Sequence, residues 1–141
     1  MKRFDRLYLD DIMEEVGMMF AKATRLGYIL PDFITFYLNS PLQEAIETGM
    51  PVYLTMLGHE LLDELKKDGL DSHVKRTKDF QDALLAEWIG NFYTLLQWQE
   101  GITGKKCAKK YPPEDVIRWS YRLSELDLSL AIERYTGKYF N

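Results

Sequence analysis

The sequence predicts an all-α fold: a compact bundle of four longer helices, at about 5–26, 51–67, 79–100 and 113–136, with one or two short helices within residues 31–48. Three observations predict it. Apolar residues recur every three or four positions in four separate stretches, the spacing that gathers them on one side of a helix. Glycine and proline stand where those stretches begin and end, at Gly27, Gly49, Pro51, Gly69 and Pro113. The one run rich in aromatic and β-branched residues, Phe33-Ile34-Thr35-Phe36-Tyr37, would suit a strand but has no second segment to pair with.

In the first helix Leu9, Ile12, Met13, Val16, Phe20 and Ala23 make the apolar face. Asp10, Asp11, Glu14 and Glu15 come early and Lys22 and Arg25 late, the order that suits the helix dipole, and Gly27 is the stop. Met18 falls on the polar side and is expected to be exposed. Pro31 opens a short helix, and Ser40-Pro41-Leu42-Gln43 reads as a capping box with proline at the first helical position. From Pro51 to Gly69 the stripe is Met50, Leu54, Leu57, Leu61 and Leu65; residues 70–78 read as a polar loop. Phe80, Leu84, Trp88, Phe92 and Leu95, flanked by Leu85, Ile89 and Leu96, give the third long helix so wide an apolar surface that others must surround it. Residues 101–112 read as a connector. The last helix carries two stripes, one of Val116, Trp119, Leu123, Leu126 and Leu130 and one of Ile117, Tyr121, Leu128, Ile132 and Tyr135; Glu114 precedes Arg118 by four residues, the favourable order for an ion pair.

The 141 residues suit one domain, 1–141, able to bury roughly two-thirds of its unfolded surface without a staple. The lone cysteine, Cys107, excludes an internal disulfide and suggests a cytoplasmic home. No apolar run reads as a secretory signal or a membrane span, so no membrane partner is expected. The net charge of −4 argues against a general nucleic-acid binder, since phosphate affinity comes from Lys and Arg. The balance is uneven: residues 1–74 hold 7 basic and 13 acidic side chains, residues 75–141 hold 11 and 9.

Candidate chemistry is sparse. His59 and Asp63 share a helix face at the i, i+4 spacing of two metal ligands, but position 63 would be a second histidine in the zinc-protease pattern. No Glu-x-x-His occurs for a carboxylate di-metal centre. Gly101-Ile102-Thr103-Gly104-Lys105-Lys106 is too short for a phosphate loop and lacks its Ser or Thr after the lysine. Lysines 105, 106, 109 and 110 around Cys107 would lower its thiol pKa, yet the histidines that could act as its base number only two. No cofactor is expected.

Two surfaces remain. Lys105, Lys106, Lys109, Lys110, Arg118 and Arg122, interleaved with Tyr111 and Trp119, could hold phosphates while stacking bases. A second basic group, Lys75, Arg76 and Lys78, lies at the far end of the third long helix, about 30 Å away at 1.5 Å per residue, so the two do not merge. The outer stripe of the last helix, Ile117, Tyr121, Leu128, Ile132 and Tyr135, extended by Tyr139 and Phe140, could bind a protein partner or a second copy as a homodimer. The expectation is therefore a non-catalytic interaction or regulatory module. A nucleic-acid accessory protein using residues 105–122 is the alternative, and a small metal protein or enzyme using His59, Asp63 or Cys107 the third reading.

Overall fold

In the computed structural model residues 4–137 are described. Among them the chain is all-α. A 3₁₀ turn, Arg6–Tyr8, leads into α1 (Leu9–Arg25), α2 (Leu30–Leu38), α3 (Pro41–Glu47), α4 (Pro51–Leu54) and α5 (Gly58–Lys67). There follow α6 (Leu70–His73), α7 (Ala83–Glu100), α8 (Gly104–Lys110), α9 (Pro113–Leu123) and α10 (Leu128–Tyr135). Four of these, α1, α5, α7 and α9, have ten residues or more and correspond to the four expected long helices. Residues 33–38 are helical. Among the described residues one isolated antiparallel bridge, between Tyr28 and Arg76, is the extent of β pairing.

Helices α1 and α7 form the centre and run antiparallel. Trp98 donates its indole N–H to the Phe4 carbonyl (3.0 Å), Gly17 lies against Gly90, and the Thr77 N–H donates to the Gly27 carbonyl (2.7 Å), so one chain number falls as the other rises. The two glycines let the backbones touch: a Cβ on Gly90 would sit 2.8 Å from the Gly17 Cα. Around this pair, Phe20 of α1 receives Phe33 and Tyr37 of α2 edge-on, each at 5.5 Å between ring centres. Gly58 brings the start of α5 onto α1, where its N–H donates to Glu15 Oε1 (2.9 Å). Helix α10 packs on α7 through Tyr135 and Phe92, 5.6 Å apart.

The sequence and the structure differ at five places, each with a local cause. The stretch 51–67 is two helices, because Leu57 takes an extended backbone and Glu60 caps its N–H (3.0 Å), turning the chain so that Gly58 can meet α1. The expected loop at 70–78 begins with α6, anchored by the buried Leu70. The connector 101–112 contains α8, started by Thr103, whose hydroxyl accepts from the Lys106 N–H (3.2 Å). The last helix is broken between Leu123 and Leu128, where Asp127 is extended. Helix α7 begins at Ala83, not 79, with Asp82 as its N-cap (3.1 Å to the Leu85 N–H). Phe80 therefore precedes the helix, and Phe80 and Leu84, expected in the core stripe, project outward.

Candidate interaction surfaces

The outer stripe of the last helix does not survive as one surface, because the break at 124–127 turns α10 back onto the body. Ile132 is buried at 3 % exposure. Ile117, Leu128 and Tyr135 are half-buried and pack against the core. Tyr135 donates its hydroxyl to Asp115 Oδ2 (2.6 Å), and burial followed by this bond raises its pKa above the ordinary value. Of the stripe's described members, Tyr121 is the one that stands fully in the open. Tyr139 and Phe140 lie outside the described residues.

The basic segment is divided between two helices. Lys105, Lys106, Lys109 and Lys110 lie on α8, all exposed, and Arg118 and Arg122 on α9. Lys110 is committed: its ammonium is 2.9 Å from Glu100 Oε1 and lies over the Tyr111 ring, 5.3 Å from its centre. Tyr111 donates to the other oxygen of the same carboxylate, and burial with that bond pushes its pKa up to about 12. Arg118 lies 3.7 Å from Asp115, in place of the expected Glu114. In the second basic group Arg76 lies 3.3 Å from Asp71 and donates to the Tyr28 hydroxyl (2.9 Å).

The surroundings of Cys107 differ from those its neighbours in sequence suggest. Cys107 faces inward on α8 and is wholly buried, while the lysines around it point to solvent. Burial, reinforced by Glu100 and Glu47 and opposed by Lys110, pushes its thiol up to about 12, the opposite of activation. His59 and Asp63 lie on the exposed side of α5. Among the described residues no three His, Cys, Asp or Glu side chains converge as metal ligands would.

Three features escaped the sequence. The first is a buried polar cluster at the meeting of α3, α7 and α8. Gln43 donates its amide to Gln97 Oε1 (2.6 Å), and the Gly104 N–H reaches Glu47 Oε1 at 3.4 Å. Gln43 Oε1, Glu47 Oε2 and Gln97 Nε2 have no partner among the described residues. The Glu47 carboxyl is held above the ordinary carboxylate range, first by burial and then by Glu44, against the pull of the Gly104 N–H. Gly104 must be bare, because a Cβ there would lie 2.1 Å from the Leu38 carbonyl oxygen. Nothing in a glutamine at 43 or 97 announces burial; the only sequence signal was Gly104 itself.

The second feature is the projecting pair Phe80 and Leu84, exposed at 90 % and 74 %. The Asp82 cap was its signal, since it starts the helix after Phe80 rather than before. The third is a groove of about 650 Å³ along α1, lined by Glu14, Glu15, Met18, Lys22 and Arg25, with Leu57, His59 and Glu87 at its sides. Met18 is 48 % exposed, as its place on the polar side predicts. No described helix is long and apolar enough to cross a membrane. No protein-family model, no curated protein and no solved structure matches this chain.

Proposed function

We propose that the chain is a non-catalytic protein-interaction module, and that its partner docks on the apolar projection at the start of α7. The observation that carries this reading is the exposure of Phe80 and Leu84, 90 % and 74 %. Burying a phenylalanine and a leucine gains about 1.5–3 kcal/mol each, and leaving both in water forgoes that gain. Trp88, one turn beyond Leu84, is half-buried and stacks on Phe92 (5.2 Å), so the apolar line continues from the open pair into the core. Large side chains that protrude call for a partner with an apolar pocket, and a few such residues carry most of the energy at protein interfaces. Lys78, Asp79 and Asp82, all exposed, supply a polar rim around the pair. A reducing, cytoplasmic compartment suits the single buried thiol.

The nucleic-acid reading has less behind it. Lys110 and Arg118 are engaged with Glu100 and Asp115, which leaves Lys105, Lys106, Lys109 and Arg122 to face a phosphate backbone from a chain of net charge −4.

The test is a double substitution, Phe80→Ser with Leu84→Ser. Both positions are open, so thermal melting is expected to stay within a few degrees of the parent. A partner recovered on the immobilised parent chain from the native host, and at least tenfold depleted on the substituted chain, supports the reading. Equal recovery on both, or no partner on the parent, overturns it.

A further inference from the structure

Five residues of α1 face solvent together: Asp11, Glu14, Met18, Lys22 and Arg25. Their spacings are three, four, four and three. At 100° per residue all five fall within an arc of about 80°, with the outer pairs about 6 and 10 Å above and below Met18 along the axis. The order of charge reverses about Met18: two acids precede it and two bases follow at matching distances. Helix-dipole preference accounts for acids early and bases late. It gives no reason for an exposed methionine at the midpoint, nor for matched spacing on one line. None of the four charges forms an ion pair among the described residues, whereas Glu15, just off the line, is already used to hold the Gly58 N–H.

We propose that this stripe is the contact between two copies of the chain, packed antiparallel about a two-fold axis through Met18. Such an axis places Asp11 opposite Arg25 of the second copy and Glu14 opposite its Lys22, and repeats both pairs with the copies exchanged. A self-complementary patch of this kind is what a two-fold interface requires. At the centre Met18 meets its own symmetry mate, beside Leu57, whose side chain is 49 % exposed at the edge of the same groove. Methionine adapts to such a contact, because it is unbranched and polarizable. A parallel, in-register pair would set acids against acids and bases against bases, so the charge order selects the antiparallel arrangement.

The contact is small and its pairs are solvent-exposed, so the dimer is weak and salt-sensitive. Sedimentation equilibrium on the full chain from about 10 μM to 1 mM is expected to show dimer at about 0.05 M salt and at least tenfold weaker association at about 0.5 M. Glu14→Lys and Lys22→Glu are each expected to weaken self-association about tenfold, since each sets like charges face to face twice. An equal mixture of the two variants restores the dimer, because the introduced lysine then meets the introduced glutamate. Met18→Cys, placed on the axis, is expected to give a disulfide-linked dimer on mild oxidation, with the buried Cys107 silent. The Phe80→Ser, Leu84→Ser chain is run beside these, and its dimer is expected to be unchanged. A chain that stays monomeric at 1 mM, variants whose mixture does not recover, a Met18→Cys chain that fails to cross-link, or loss of the dimer in the Phe80 and Leu84 variant each overturns the proposal.

Discussion

At the scale of single residues, glycines set how closely this chain packs, Gly58 where α5 meets α1 and three more besides. Gly17 and Gly90 sit where α1 crosses α7, and Gly104 sits where α8 meets the end of α2. The neighbour that would meet a new methyl group at Gly90 is the Gly17 backbone, at 2.8 Å, and backbone cannot rotate aside as a side-chain tip can. Gly90→Ala is therefore expected to destabilise the fold by about 1–3 kcal/mol, the usual cost of overpacking, read as a lower urea midpoint with an unchanged slope. A substitution with no measurable effect would mean that the helices lie further apart than the structure has them. Little of this was legible in advance. A glycine inside an apolar helical pattern looks like a weak helix former until its opposite number is known, and Gly17 and Gly90 are far apart in the sequence. Cys107 failed for a related reason: neighbours in sequence on a helix point in different directions, so the lysines that surround it on paper do not surround its sulfur.

At the scale of elements, most boundaries could be read and the breaks could not. Pro31, Pro41, Pro51 and Pro113 each stand at the first or second position of a helix, and Gly27, Gly49 and Gly69 follow helix ends with the left-handed backbone that glycine permits. The breaks at 55–57 and 124–127 were hidden because apolar periodicity runs through both: Leu54, Leu57 and Leu61 keep step, as do Leu123, Leu126 and Leu130. What ends the helices there is contact with other elements, Gly58 with α1 and Tyr135 with Phe92, which periodicity does not register. The cap at Asp82 decides where α7 starts and so whether Phe80 is held outside it. Asp82→Ala is expected to cost about 1 kcal/mol and to speed amide exchange in the first turn of α7 while leaving its second half protected. Unaltered exchange at Leu85, whose N–H the cap receives, would show that the cap contributes nothing.

At the scale of the whole molecule, the buried Glu47 ties stability to pH. Its carboxyl binds a proton more tightly folded than unfolded, where it titrates near its ordinary value of 4.5. Below that value both forms are protonated and nothing is lost. As pH rises past it the unfolded chain ionises first, so this group's contribution to stability falls until the folded carboxyl ionises too. Glu47→Gln removes the titration and keeps an oxygen for the Gly104 N–H. It is expected to be more stable than the parent at pH 7 and to lose that advantage as pH falls below the ordinary carboxyl value, as followed by melting temperature against pH. A gain that persists in acid would assign it to the hydrogen bonds alone. The fold class was legible because it depends on local spacing, and this cluster was not, because α3, α7 and α8 assemble it from distant parts of the chain.

The crossing of α1 and α7 has one more consequence, for how the molecule forms. Its two glycines are about seventy residues apart, so the innermost contact closes only after a long loop has given up its freedom. Five helices, α2 to α6, have to find their places inside that loop. The chain's refolding is therefore expected to be slow beside bundles whose neighbouring helices simply fold back on one another.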